Sequence, residues 1–147
     1  MPPRFDLTRF IEAQEPVYAQ VVRELAHGRK ESHWMWFIFP QVSGLGFSPM
    51  ARRFAIGSRQ EAQDYLAHPL LGGRLSECTG LVLAVHDRTI HQILGAPDDV
   101  KFRSSMTLFS AVSTLPIFAE ALTKYFPQGS DPATLDILAK FDQGARA

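Results

Sequence analysis

Signals that start or stop a helix recur along this chain at short intervals and leave little room for other structure. Asp6, Ser48, Ser58, Asp98 and Asp131 stand where an N-cap is wanted. Ser58 is followed by Glu61 at capping-box spacing. Pro16, Pro49, Pro69, Pro97, Pro116 and Pro132 sit at positions that suit a first helical turn, and Gly28 and Gly95 suit a stop. Between these marks, apolar residues recur at helical spacing: Val17, Val21, Val22 and Leu25, then Leu71, Leu75, Cys78, Leu81, Val82 and Val85. No segment shows the alternation of a half-exposed strand, and no Asn-Gly or Asp-Gly hairpin signal is present. Only Trp34–Phe39 has strand-like composition. The pattern predicts an all-α, compact multihelical fold with about seven to nine helices, the last ending near Phe141.

The chain has 147 residues, enough for one domain with its own core. Positions 1–147 are expected to form a single helical domain, with 5–141 as the ordered core and 142–147 as a frayed tail. Fifteen basic and fifteen acidic residues balance, so no basic excess points to nucleic acid or to an anionic membrane. Cys78 is the sole cysteine, which excludes an intrachain disulfide and fits a reducing compartment. The first residues lack a signal-peptide pattern, and no apolar run reaches spanning length. A cytoplasmic location is expected.

The segment Ser32–Gln41 holds both tryptophans, Trp34 and Trp36, followed by Phe37 and Phe39. Such a run is either the centre of a core or the wall of a pocket for a flat ligand. Packing alone is the commoner reason for a run this apolar. The pocket reading places Trp34 and Trp36 in the wall, with His33 and Gln41 as flanking polar groups. The Gly44-Leu45-Gly46 loop that follows lacks the Gly-Lys-Ser/Thr ending of a phosphate-binding loop, so it reads first as a tight turn.

The second candidate constellation is Asp98-Asp99-Val100-Lys101-Phe102-Arg103-Ser104-Ser105. Helical spacing puts Lys101, Ser104, Ser105 and Leu108 on one face and Phe102, Met106 and Phe109 on another. Lys101, Arg103 and the two hydroxyls suit a phosphate or carboxylate. Asp98 and Asp99 suit ribose hydroxyls or a base. The plainer account makes Asp98 a cap, Asp99 a complement to the helix dipole, and the cations solvated. Adjacent serines are poor helix formers, which that account leaves unexplained. A Ser–Lys nucleophile pair would require a desolvated lysine. The five histidines show no metal-ligand spacing, so no metal and no cofactor are expected.

Read together, Ser32–Gln41, Gly44-Leu45-Gly46, Met50–Ile56, Lys101–Phe109, Asp6–Phe10 and Tyr65–Gly72 carry a resemblance. The chain resembles the bacterial family catalogued as domain of unknown function 1810, from Phe5 to about Leu138. That resemblance implies an all-α compact domain and no established activity. The "calpastatin-like" label of some members has no basis in this globular composition. A more distant likeness is to NADAR domains, helical proteins that act on ADP-ribose derivatives. It rests on the residue types of His33–Phe39, Met50-Ala51 and Asp98-Asp99, and it carries over no catalytic residue.

Two classes of function follow. One is an enzyme or binder for a nucleotide-like small molecule, an ADP-ribose derivative, with the aromatic wall under the base and Lys101, Arg103, Ser104 and Ser105 at the polar end. The other is an interaction module in which the aromatic segment is only core. Oligomeric state is left open. The pocket reading requires Lys101–Ser105 to pack beside His33–Gln41, driven by the need of Phe102, Met106 and Phe109 for an apolar partner.

Overall fold

The computed structural model describes residues 6–146, with side chains to position 143. Among the described residues there are ten helices and no strand. They are α1 (Thr8–Gln14), α2 (Tyr18–Ala26), α3 (Met35–Ile38), α4 (Pro49–Arg53), α5 (Arg59–Ala67), α6 (Leu71–Leu83), α7 (Ile90–Leu94), α8 (Asp98–Ala111), α9 (Ile117–Tyr125) and α10 (Pro132–Arg146). The fold is all-α, as the punctuation implies, and slightly more divided than the seven to nine helices expected.

Local chemistry explains most boundaries. The Ser48 hydroxyl accepts from Ala51 N–H at 3.1 Å and opens α4; the Ser58 hydroxyl accepts from Glu61 N–H at 3.0 Å and opens α5. Glu61 reaches back to Gly57 N–H at 2.7 Å, one residue before the cap, so the box is displaced by one position. A reciprocal box forms at Thr89 and Gln92 in α7. Two expected caps are corrected. Asp6 makes no cap, because Leu7 holds that position without a side-chain bond. Asp98 is already inside α8, with Pro97 before it, and its carboxylate is drawn to lysines instead. The helix after Ser48 ends at Arg53 because Ile56 leaves it to pair with Val42, in a parallel bridge closed by Ile56 N–H to Gln41 O and Ser43 N–H to Ile56 O, both at 2.9 Å.

The segment with strand-like composition forms the single turn α3, buried at Met35, Phe37 and Ile38. At the C-terminus, α10 continues through Arg146 rather than ending near Phe141, and Asp142 pairs with Arg59 at 2.9 Å. The expected core limit at Phe5 and the last residue of the expected tail, Ala147, lie outside the described residues. No described helix is long and apolar enough to cross a membrane.

Helix α8 is central, packing on α5, α7, α9 and α10. Its face prediction needs correction: Ser104, Ser105, Thr107 and Leu108 are buried along with Phe102, Met106 and Phe109. Core aromatic rings run through the molecule in two chains. Trp34 meets Phe39 at 6.2 Å, Phe39 meets Phe102 edge-on at 4.9 Å, and Phe102 meets Phe126 at 6.2 Å. Phe37 starts the other chain, through Phe54, Phe10, Tyr65 and Phe109 to Phe118.

Helices α5 and α6 approach so closely at Gly72 that a Cβ there would stand 2.0 Å from the Leu66 carbonyl oxygen. Backbone cannot yield as a flexible side-chain tip can. Gly72→Ala is therefore expected to destabilise the protein by more than about 2 kcal/mol, in the range of core overpacking. Gly73→Ala, next in the helix and facing open space, is expected to be neutral or stabilising. Urea denaturation of the two variants checks the contrast; equal stabilities would refute the close approach.

Candidate functional site

The tryptophans sit two positions apart around a single helical turn, so they point to different sides. Trp34 is buried, and its indole N–H donates to Glu24 Oε1 at 2.9 Å. Trp36 is half-buried and faces a cleft of ≈380 Å³. The edge-on Phe39–Phe102 contact lays α8 beside α3, and Trp36, Gln41, Phe47, Lys101, Ser104 and Asp131 line that one cleft. Gln41 is held by its carbonyl's bond to Ile56 N–H in the Val42–Ile56 bridge.

Charge at the cleft edge is arranged as a ladder. Lys101 Nζ lies 4.8 Å from the centre of the Trp36 ring and 3.7 Å from Asp98 Oδ1. Asp98 Oδ2 binds Lys30 Nζ at 2.9 Å, and Lys30 Nζ lies 4.9 Å from the centre of the Trp34 ring. Each ammonium is thus shared between a carboxylate and an aromatic face, the geometry of a cation–π contact.

Ser104 donates its hydroxyl to Asp131 Oδ2 at 2.9 Å, with the Val100 carbonyl at 3.3 Å. Thr134 Oγ1 donates to the same carboxylate oxygen at 2.6 Å. Burial pushes the Asp131 carboxyl up, but these hydroxyls and the N–H groups of Ala133 and Thr134 outweigh it and hold the pKa below its usual value. An ionised carboxylate with this many donors has little basicity left. Ser104 hydrogen-bonds Asp131 and the buried Ser105 hydroxyl has no partner, so among the described residues neither serine pairs with Lys101 as a Ser–Lys nucleophile would.

Other predicted residues fall elsewhere. His33 is exposed and does not line the cleft. Asp99 faces His91 Nδ1 at 3.3 Å and accepts from Val100 N–H at 2.8 Å. The Arg103 guanidinium is spent on the carbonyls of Gly129, at 2.8 Å, and Ser130, at 2.9 Å, fixing the loop that delivers Asp131. Asp99 and Arg103 line a separate groove beside Phe126. Ser105 is fully buried, and among the described residues its hydroxyl has no partner. Burial pushes the Cys78 thiol up to about 12, as for a small core residue. Among the described residues no three His, Cys, Asp or Glu side chains gather to hold a metal ion.

Three contributors escape the sequence reading. Asp131 reads as a cap, and it is one; only the fold shows that it also borders the cleft. Phe47 is 75% exposed at the cleft mouth, a large aromatic beside Gly46 that marks the position in retrospect. Glu24 looks like any acidic residue on an amphipathic helix. It is buried, and it accepts from Glu31 N–H, Ser32 N–H, the Ser32 hydroxyl and Gln20 as well as Trp34. Burial alone would raise its pKa, but the donors from Glu31, Ser32 and Trp34 lower it from 4.5 to about 2.

The chain belongs to the family described as protein of unknown function (DUF1810), whose profile matches residues 4–138. It is similar to the conserved hypothetical protein Rv1873 from Mycobacterium tuberculosis, with 54% sequence identity and a TM-score of 0.92 for the crystal structure, over 93% of this chain and 99% of that one. No curated protein matches the chain significantly.

Two consequences of this geometry are measurable. Ser104→Ala removes a donor to a buried-edge carboxylate and is expected to cost about 1 kcal/mol in chemical denaturation; a neutral variant would mean that the Asp131 bond contributes nothing. Glu24 has a depressed folded-state pKa, so its contribution is present above about pH 4.5 and is lost as pH falls towards 2. Glu24→Gln should flatten the acid limb of the stability profile between about pH 5 and 2 relative to wild type. Parallel limbs would show that Glu24 is not the acid-sensitive group.

Proposed function

We propose that the chain binds a nucleotide-like small molecule of the ADP-ribose type in the cleft between α3 and α8. The observation that carries this reading is the convergence, in one cleft, of a half-buried indole (Trp36), an exposed phenyl ring (Phe47), a carboxamide (Gln41) and an ammonium (Lys101). Aromatic faces suit a base, and a cation beside them suits a phosphate. The base-stacking wall is Trp36 with Phe47; Trp34, whose indole N–H is given to Glu24, takes no part in it.

The reading is of binding rather than hydrolysis. A general base needs acceptor capacity directed at the substrate. The Asp131 carboxylate already takes hydroxyls from Ser104 and Thr134, and Asp98 is tied to two lysines.

Titration calorimetry with ADP-ribose and AMP tests this. Saturable binding is expected, weakening as salt is raised because Lys101 meets an anion at a solvent-exposed edge. Lys101→Met keeps most of the aliphatic stem and removes the charge; it should weaken binding by about tenfold, the scale of one charge-assisted contact, with an unchanged melting temperature. Failure of both ligands to bind at millimolar concentration would overturn the reading.

A further inference from the structure

Most polar side chains that line the cleft are already engaged. The Ser48 hydroxyl accepts from Ala51 N–H, the Ser104 hydroxyl is given to Asp131, and Asp131 is occupied by Ser104 and Thr134. Lys101 rests between Trp36 and Asp98. Gln41 differs. Among the described residues, its carboxamide takes part in no hydrogen bond, although its backbone carbonyl is fixed by Ile56 N–H at 2.9 Å. The residue is partly buried, and together with Trp36, Leu45 and Gly46 it lines both this cleft and the small recess at the glycine loop.

A carboxamide offers one acceptor and two donors in a plane. Held beside an aromatic wall, it meets a stacked ring at its edge and not at its face. The complementary edge carries an amino donor next to a ring-nitrogen acceptor. Adenine presents that pattern and is met by Gln through paired hydrogen bonds. A purine also covers more of Trp36 and Phe47 than a single ring does.

We propose that Gln41 determines base specificity, selecting an adenine ring through paired hydrogen bonds to its 6-amino group and an adjacent ring nitrogen. This rests on the reading that the cleft binds nucleotides. It adds which residue reads the adenine of that ligand, and through which atoms.

The test compares AMP with purine ribonucleoside 5′-monophosphate, which differs only in lacking the 6-amino group. Affinities of wild type, Gln41→Met and Gln41→Ala are measured by calorimetry. Wild type should bind AMP about tenfold more tightly, the scale of one lost partner in a bidentate pair. Gln41→Met, similar in shape and without the amide, should bind the two nucleotides equally. Gln41→Ala, with the side chain removed, should behave the same way, which covers a folding defect in either variant. Two results overturn the proposal and leave nucleotide binding standing: a wild type that binds both nucleotides equally, or variants that keep the preference for AMP. Binding of neither nucleotide by wild type overturns both the proposal and the reading beneath it.

Discussion

The edge-on contact between Phe39 and Phe102 is the interaction on which the cleft depends. It joins two stretches far apart in sequence, and each carries a polar companion with its ring. Phe39 brings Trp36 and Gln41; Phe102 brings Lys101 and Ser104. The contact gains area burial and a favourable ring quadrupole alignment. It is continued on one side by Trp34 and on the other by Phe126. Phe37, two positions earlier, enters a second chain of rings through Phe54 and Phe10. A single short turn thus feeds both halves of the core, which leaves little freedom in where Trp36 can point.

The sequence makes the helices legible because their signals are local. Ser48, Ser58 and Asp131 cap, Gly28 and Gly95 adopt positive φ at helix ends, and apolar spacing does the rest. The same locality explains the errors. Asp6 and Asp98 are good caps in isolation, but Lys30 offers Asp98 a charge at 2.9 Å, which a backbone N–H does not match. The approach of the Lys101–Ser105 segment to the aromatic segment is legible for a physical reason: the apolar face of α8 needs the largest apolar partner available, and Phe102 finds it in Phe39. The separation of the tryptophans was not. Residues two apart share a face in a strand, but lie about 200° apart on a helix, so the choice between strand and turn decides whether both rings can reach one ligand. His33, just outside the turn, is lost to the site by the same geometry. Arg103 and Glu24 were invisible as positioning groups because their partners are carbonyls and N–H groups brought in by the fold.

The ladder from Trp34 through Lys30, Asp98 and Lys101 to Trp36 has a graded environment. The Lys30 side chain is 7% exposed, while that of Lys101 is 24% exposed. A nearly buried ammonium needs a close counter-charge to offset its lost hydration, and Asp98 supplies it at the shorter distance. Lys101 is left with the longer, weaker contact and the more accessible ring. The inner half of the ladder is therefore structural. The outer half keeps a cation whose pairing is incomplete.

That incompleteness bears on how a flat ligand and its anionic group would be held together. Lys101 can occupy only one face of the Trp36 ring, so it fixes the indole without covering all of it. On the proposed reading, a base arriving at the cleft would meet the remaining aromatic surface and Phe47 and would displace water from around the ammonium. Removing water strengthens the attraction between Lys101 and any phosphate carried with the base, because the effective dielectric falls. It also strengthens the contact of Lys101 with Trp36, since cation–π attraction grows on desolvation. For such a ligand, stacking and charge would reinforce each other at the same two side chains, while Asp98 stays held at 2.9 Å by Lys30 and Asp131 by Ser104 and Thr134.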